Sequence, residues 1–224
     1  SMIMMGAALK KYLCEFIGTF ALVFFAAGAV MIDSVTSNIG ALGSGLISGG
    51  IITVVIFSFG QISGAHVNPA LSFAAAWLGE LSWGLVPGYI FSQIAGSVAA
   101  GFILLWIIGP VAAIGANIPN ELVGVTPIIA FTIELFLSFL LMWVICGTAY
   151  HSRSNLQLAA IPVGIVVGLE VMLMGPYAGA AMNPARALGP YLAHGDLTHL
   201  WIYVVAPVFG MLFGAAVYRF THAD

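Results

Sequence analysis

The tripeptide Asn-Pro-Ala occurs twice, at Asn68-Pro69-Ala70 and Asn183-Pro184-Ala185, and both copies lie in stretches too apolar for ordinary surface loops. Asn is a strong helix N-cap and Pro is favoured at the first helical position, so each copy predicts a helix start. The first helix has room to run from Pro69 to about Leu78, where Gly79 can supply a left-handed stop. Roughly ten residues at 1.5 Å each give about 15 Å. That is half of a bilayer core of about 30 Å. Two half-length helices that each begin at a capped Asn would meet N-terminus to N-terminus at mid-membrane. Their positive dipole ends would then point at one place, with Asn68 and Asn183 at a single pore.

Such an arrangement needs a membrane, and composition supplies it. Hydrophobic residues make up 62% of the chain and charged residues 6%, and the mean hydropathy is +1.12. These values describe an integral membrane protein. A length of 224 residues fits one channel domain, 1–224, and a net charge of −3 is too small to imply nucleic acid. Cys14 and Cys146 sit in apolar spans and read as small buried apolar residues, with neither a disulfide framework nor metal spacing around them. No metal or other cofactor is implied. Ser1 to Leu9 carries no cleavable-signal pattern, and Ser1 before Met2 reads as a cloning remnant.

Apolar runs of spanning length cover about Tyr12 to Ile32, Ala41 to Phe59 and Pro87 to Ile108. Gln61 to Val67 leads into the first half-helix between the second and third runs. The stretch 109–126, with Pro110, Asn117, Pro119, Asn120 and Glu121, is the longest polar-leaning connection and reads as a midpoint linker. The plan then repeats: spans at about Pro127 to Tyr150 and Leu158 to Met174, a Gly/Pro-rich lead-in from Gly175 to Met182, the second half-helix, and a span at about Leu200 to Phe220. The asparagines are offset by 115 residues, and Glu15 and Glu134, each opening a similar hexapeptide, by 119. Each half, 10–108 and 127–220, has an odd number of spans, so the second enters the membrane from the opposite side. The predicted fold is all-α: six transmembrane helices and two re-entrant half-helices in an inverted repeat.

Lys10 and Lys11 precede the first span, Arg153 follows the fourth and Arg219 ends the sixth, so these four share one side. The positive-inside rule puts both termini in the cytoplasm of a plasma or inner membrane. Trp83, Trp106 and Trp201, near span ends, suit interfacial anchoring. Gly45/Gly49, Gly164/Gly168 and Gly210/Gly214 have the four-residue spacing that permits close helix crossings.

Ser63-Gly64-Ala65-His66-Val67-Asn68-Pro69-Ala70 and the run from Gly175 to Arg186 resemble the two signature loops of the aquaporin (major intrinsic protein) family. The resemblance covers essentially the whole chain. It implies a homotetramer in the lipid bilayer in which each protomer holds its own pore. The residues reach a pore independently. Asn68 and Asn183 present amide donors, while extended backbone before each cap, Gly64, Ala65 and His66 in one loop and Gly179 to Ala181 in the other, offers carbonyl acceptors. A cation meets two positive dipole ends and a hopping proton meets oriented water, so both are excluded. Arg186, on the first turn of the second half-helix, is the charge expected in the pore, where it donates to the solute and repels cations.

Carried over by spacing, the remaining filter positions are Ser48, Val171 and Ala180. Water-selective family members resemble one another in a large aromatic and a histidine at the first two; here both are small. Glycerol-conducting members usually set aromatics facing the arginine and often an Asp after it, and Ala180 and Ala187 depart from that. The set resembles the wide filters of nodulin-26-like channels, which pass boric acid, arsenous acid, urea and similar small neutral solutes. Glu15 and Glu134 are expected to hold the loops before the half-helices by their N–H groups, and Glu170 to brace the second loop from behind or to contact Arg186. His66 reads as a packed loop residue rather than a gate. The rival class is a proton-coupled transporter or intramembrane enzyme using Glu15, Glu134, Glu170 and His66 as relay or catalytic groups. Against it, no nucleophile with its base and no metal-ligand set is present. A water-selective channel is the nearer alternative.

Overall fold

A computed structural model describes residues 2–151 and 154–223; Ser1 and the Arg153 of the orientation argument lie outside the described residues. Among the described residues eight α-helices follow one another: α1 (Met2–Thr36), α2 (Gly40–Ser63), α3 (Pro69–Leu78), α4 (Val86–Ile108), α5 (Pro127–Ile145), α6 (Ala160–Ala178), α7 (Pro184–His194) and α8 (Leu200–His222). Six candidate spans, long and apolar enough to cross a membrane, contain α1, α2, α4, α5, α6 and α8. The described residues contain no strand. The order is two long helices, one short and one long, given twice.

The short helices form where the Asn-Pro-Ala pattern places them. Asn68 and Asn183 cap α3 and α7 from extended backbone, each side chain accepting from the two N–H groups of the following turn, with Pro at the first position. Gly79 and Gly195 close the far ends in left-handed conformation, at φ 86° and 98°. At 10 and 11 residues, α3 and α7 are about 15 and 16 Å long, too short to cross alone.

The dominant packings are α1 on α4, α5 on α8, and α2 on α6. Each half-helix also crosses to the last long helix of the other half, α3 onto α8 and α7 onto α4. The α2–α6 crossing depends on glycine, because a Cβ at Gly49 would collide with the carbonyl oxygen of Gly164 and one at Gly168 would stand 2.9 Å from that of Gly45. Gly210 and Gly214 similarly let α8 close on the backbone of α5 at Leu135 and Phe139. Such close backbone approach is what holds helices together where lipid removes the hydrophobic drive between them. Large apolar side chains such as Phe136, Leu173, Phe209 and Phe213 point outward.

Several features differ from expectation, and α2 already runs on to Ser63, into the lead-in expected from Gln61 to Val67. Helix α1 runs ten residues further toward the N-terminus, because nothing in Met-, Ala-, Leu- and Lys-containing sequence stops it. Helix α6 continues through Gly175 and Pro176 to Ala178, into what reads as loop. Its final carbonyls are satisfied from outside: Asn120 donates its side-chain N–H to Pro176 at 2.9 Å and its backbone N–H to Tyr177 at 3.0 Å. The stretch 109–126 is not a loose connection. Ile114 and Val125 are buried, Ala112, Ala113 and Ile114 turn through left-handed conformation, and the segment straps the mouth formed by α1, α6 and α7.

Candidate functional site

The two half-helices meet tip to tip. Asn68 Nδ2 donates to the carbonyl of Met182 at 2.9 Å, and Asn183 Nδ2 donates to the carbonyl of Val67 at 2.7 Å. Each amide nitrogen carries two hydrogens, so one ties the loops together and one remains for the lumen. Pro69, Ala70, Pro184 and Ala185 are buried behind the caps.

The loops before the caps are not extended, contrary to the sequence reading. Gly64, Ala65 and Val67 take φ of 82°, 49° and 47°, and Gly179, Ala180 and Met182 take 97°, 51° and 54°. A β-branched residue such as Val67 is strained there, so the surrounding structure must hold it. Glu15 is part of that hold. It is fully buried and accepts from Val67 N at 2.7 Å, His66 N at 3.1 Å, Ser63 Oγ at 2.8 Å and Gln93 Nε2 at 2.7 Å. Glu134, also fully buried, accepts from Ala181 N at 2.8 Å and Met182 N at 2.9 Å. A tyrosine closes each loop from the other side: Tyr89 donates to Ser63 O at 2.7 Å and Tyr203 to Ala178 O at 2.5 Å.

One long cavity passes both Asn side chains. Gly64, Ala65, His66, Ala181, Leu71, Val163 and Val167 line it, and a second, more polar cavity opens at the Arg186 end, lined by Asp33, Ser44, Asn117 and Gly179 among others. Five residues border both: Ser48, Val171, Ala180, Arg186 and Ala26. The first four are those that spacing assigns to the filter. Ala26, on α1, carried no sequence signal, being one alanine of several in an apolar run.

Arg186 is 6% exposed and donates from Nη2 to the carbonyl of Gly115 at 2.9 Å; its Nη1 has no partner among the described residues. Asn117 donates to Gly179 O at 2.9 Å and its own carbonyl accepts from Tyr191 at 2.6 Å. One carbonyl expected to face the lumen, that of Gly179, is therefore already engaged. Gly115, Asn117 and Asn120 are the site residues the sequence reading missed as such. His66 is buried, with Nδ1 3.0 Å from Ser72 Oγ and its ring edge-on to Tyr89.

Glu170 is a correction. It is 4% exposed, yet neither carboxylate oxygen has a hydrogen-bond partner among the described residues, so it braces nothing and does not pair with Arg186. Neither cavity includes it in its lining. One helical step from Val171 turns its side chain away from the lumen.

Two half-helices cross-tied at their tips, with polar groups along a line through an otherwise apolar bundle, define a membrane channel. The family described as Major intrinsic protein matches residues 2–218. The chain is 39% identical to "Aquaporin NIP3-1" of Oryza sativa subsp. japonica over 210 residues, which is 93% of this chain and 67% of the rice protein. It is 36% identical to "Nodulin-26" of Glycine max over 213 residues, covering 94% and 77% of the two chains. Its fold is similar to the X-ray structure of the aquaglyceroporin from Plasmodium falciparum, at a TM-score of 0.83, 23% identity, and 94% and 95% coverage. The chain belongs to the major intrinsic protein family. It is a multi-pass membrane channel of the aquaporin type for water and small solutes.

Proposed function

We propose that the pore passes water together with wider neutral solutes, namely glycerol, urea and boric- and arsenous-type metalloid acids, and excludes protons and ions. The observation that carries this reading is the ring shared by the two cavities, in which Ser48, Val171, Ala180 and Ala26 contribute only small side chains and Arg186 alone is long. A hydroxymethyl, an isopropyl and two methyl groups leave room that a Phe and a His would close. Ser48 can accept from a solute hydroxyl while Arg186 donates to another, so desolvation is repaid at several points. Asn68 and Asn183 each keep one N–H for the passing oxygen, and the positive ends of α3 and α7 disfavour cations there. Glu15 and Glu134 act on the loops and not on the solute. Glu170 has no role in this reading.

Both termini lie in the cytoplasm of a plasma or inner membrane, so the Arg186 end faces outward. Lys10, Lys11 and Arg219 support this side assignment. The assembly is a homotetramer with four separate pores. The outward-facing apolar side chains Leu42, Leu46, Leu169 and Leu173 leave surface for both neighbours and lipid.

Stopped-flow swelling of reconstituted vesicles in parallel water, glycerol, urea and boric acid gradients tests the solute range. All four should pass, and fluxes should ignore an imposed pH gradient. Ser48→Phe with Val171→His should abolish glycerol and boric acid flux and spare water. A wild-type protein that conducts water and excludes the other solutes would make this a water-selective channel.

A further inference from the structure

The wall of the long cavity carries a ring nitrogen whose hydrogen is decided outside the lumen. The chain of donors begins beside Glu15 on α1. Both oxygens of that carboxyl accept from backbone, Oε1 from Val67 N and Oε2 from His66 N. Gln93 on α4 meets the same Oε1 through Nε2 at 2.7 Å, and that nitrogen lies 3.0 Å from Ser72 Oγ. Turning the amide over would set its oxygen against the carboxylate, so Nε2 stays in place and its two hydrogens serve Glu15 and Ser72. Ser72, on α3, is fully buried. Having accepted from Gln93, its hydroxyl has one hydrogen to give, and His66 Nδ1 at 3.0 Å takes it. Nδ1 is therefore the bare nitrogen of the ring, and a neutral imidazole then carries its hydrogen on Nε2.

That second nitrogen meets the solute path. It has no partner among the described residues and is not one of the polar atoms closed off inside the protein. It lies beside Gly64, where an added Cβ would stand 3.1 Å from it, and Gly64 and His66 both line the long cavity.

We propose that His66, held in one neutral form by the Gln93–Ser72 relay, presents Nε2–H to the lumen as a fixed donor for the passing oxygen. It stands on the side of the asparagines away from Arg186, and so extends the row of donors into the half of the cavity lined by apolar side chains such as Leu71, Ile145 and Ala159. Backbone carbonyls in that half only accept. The ring lets an oxygen keep an accepted hydrogen bond while its own hydrogens meet those carbonyls. This requires the passage of water alone and is independent of the wider solute range proposed above.

Nitrogen-15 spectra of histidine-labelled protein in lipid vesicles test the ring directly, with His151, His194, His199 and His222 replaced by Gln so that His66 alone reports. Nδ1 should resonate in the range of a bare ring nitrogen and Nε2 in that of a protonated one, and Ser72→Ala should mix the two forms. The reverse assignment overturns the proposal, and an unchanged spectrum in Ser72→Ala overturns the relay. Osmotic water flux tests the donor. His66→Val and His66→Gln both strand the Ser72 hydroxyl, but the glutamine amide returns a donor near the place of Nε2. Valine is smaller than histidine, so a fall of flux in it is not obstruction. Water permeability per channel should drop about three- to tenfold in His66→Val, the span of one lost neutral hydrogen bond, and recover in His66→Gln. Equal flux in the two variants overturns the donor role, whether both fall or neither does. If neither variant folds, the spectra decide.

Discussion

The two halves of the molecule are nearly the same at the pore centre and unlike at the mouths. Asn68 and Asn183 have φ and ψ of −160° and 114°, and −160° and 112°, and the same caps and reciprocal cross-bonds. Ser63 and Ala178, at the start of the two loops, are each held by a tyrosine, Tyr89 and Tyr203. Outward from there the likeness ends. Glu15 holds its loop with four hydrogen bonds, two of them to the side chains of Ser63 and Gln93, whereas Glu134 has two, both to backbone. The second loop makes up the difference from the strap, through Asn117 and Asn120. Three residues after each Asn stands Leu71 in one half and Arg186 in the other. Duplication thus supplies the geometry of the crossing point, and divergence of the flanks supplies the discrimination.

The largest effect should come from removing the glutamates. Glu15→Ala leaves the N–H groups of His66 and Val67 and two side-chain donors buried without an acceptor, and should lower stability by about 4 kcal/mol. Glu134→Ala frees two backbone donors while the strap still grips Gly179 and Pro176, so about 2 kcal/mol is expected. Thermal unfolding in one detergent ranks them. Equal losses, or a greater loss at Glu134, would mean that the strap does not share the load.

A second substitution makes the halves alike where they differ most. Arg186→Leu reproduces at the outer end the residue the inner end already has. It removes the guanidinium and leaves the carbonyl of Gly115 unpaired. Cation leak through the pore should rise about tenfold or more as the positive field is lost, while glycerol flux persists. Conductance recordings beside glycerol swelling report both quantities. An unchanged leak would assign cation exclusion to the half-helix dipoles of the symmetric centre.

The same division governs what could be read from sequence. The centre was legible because Asn-Pro-Ala is a local signal, cap followed by helix start, and it is written twice. The spans were legible from apolar length, with α1, α2 and α6 misjudged only at ends where the stopping signal was weak or was overridden by Asn120. Tyr89 and Tyr203 were detectable in principle, since their offset of 114 residues nearly matches that of the asparagines. The strap was not. Residues 109–126 have no periodicity, and the contacts that give them meaning reach across the chain, from Asn117 to Gly179 and from Gly115 to Arg186. Glu170 failed for the opposite reason. Its nearness to Val171 in sequence suggested a shared task, but neighbours on a helix point about 100° apart.

That residue gives the smallest and most discriminating effect. Glu15 has four donors, Glu134 two and Glu170 none, so the cost of deletion should fall along the series and change sign at its end. A buried carboxyl without donors is destabilising where it stands. An apolar side chain of similar volume removes that penalty without opening a cavity. Glu170→Leu should therefore raise stability by about 1 kcal/mol, with water and glycerol flux unchanged because the side chain lies outside both cavities. Glu170→Gln should gain less, since it keeps a buried polar group. A loss of stability in Glu170→Leu, or a change in the solute profile, would show that Glu170 has a partner in the working channel and belongs with Glu15 and Glu134 after all.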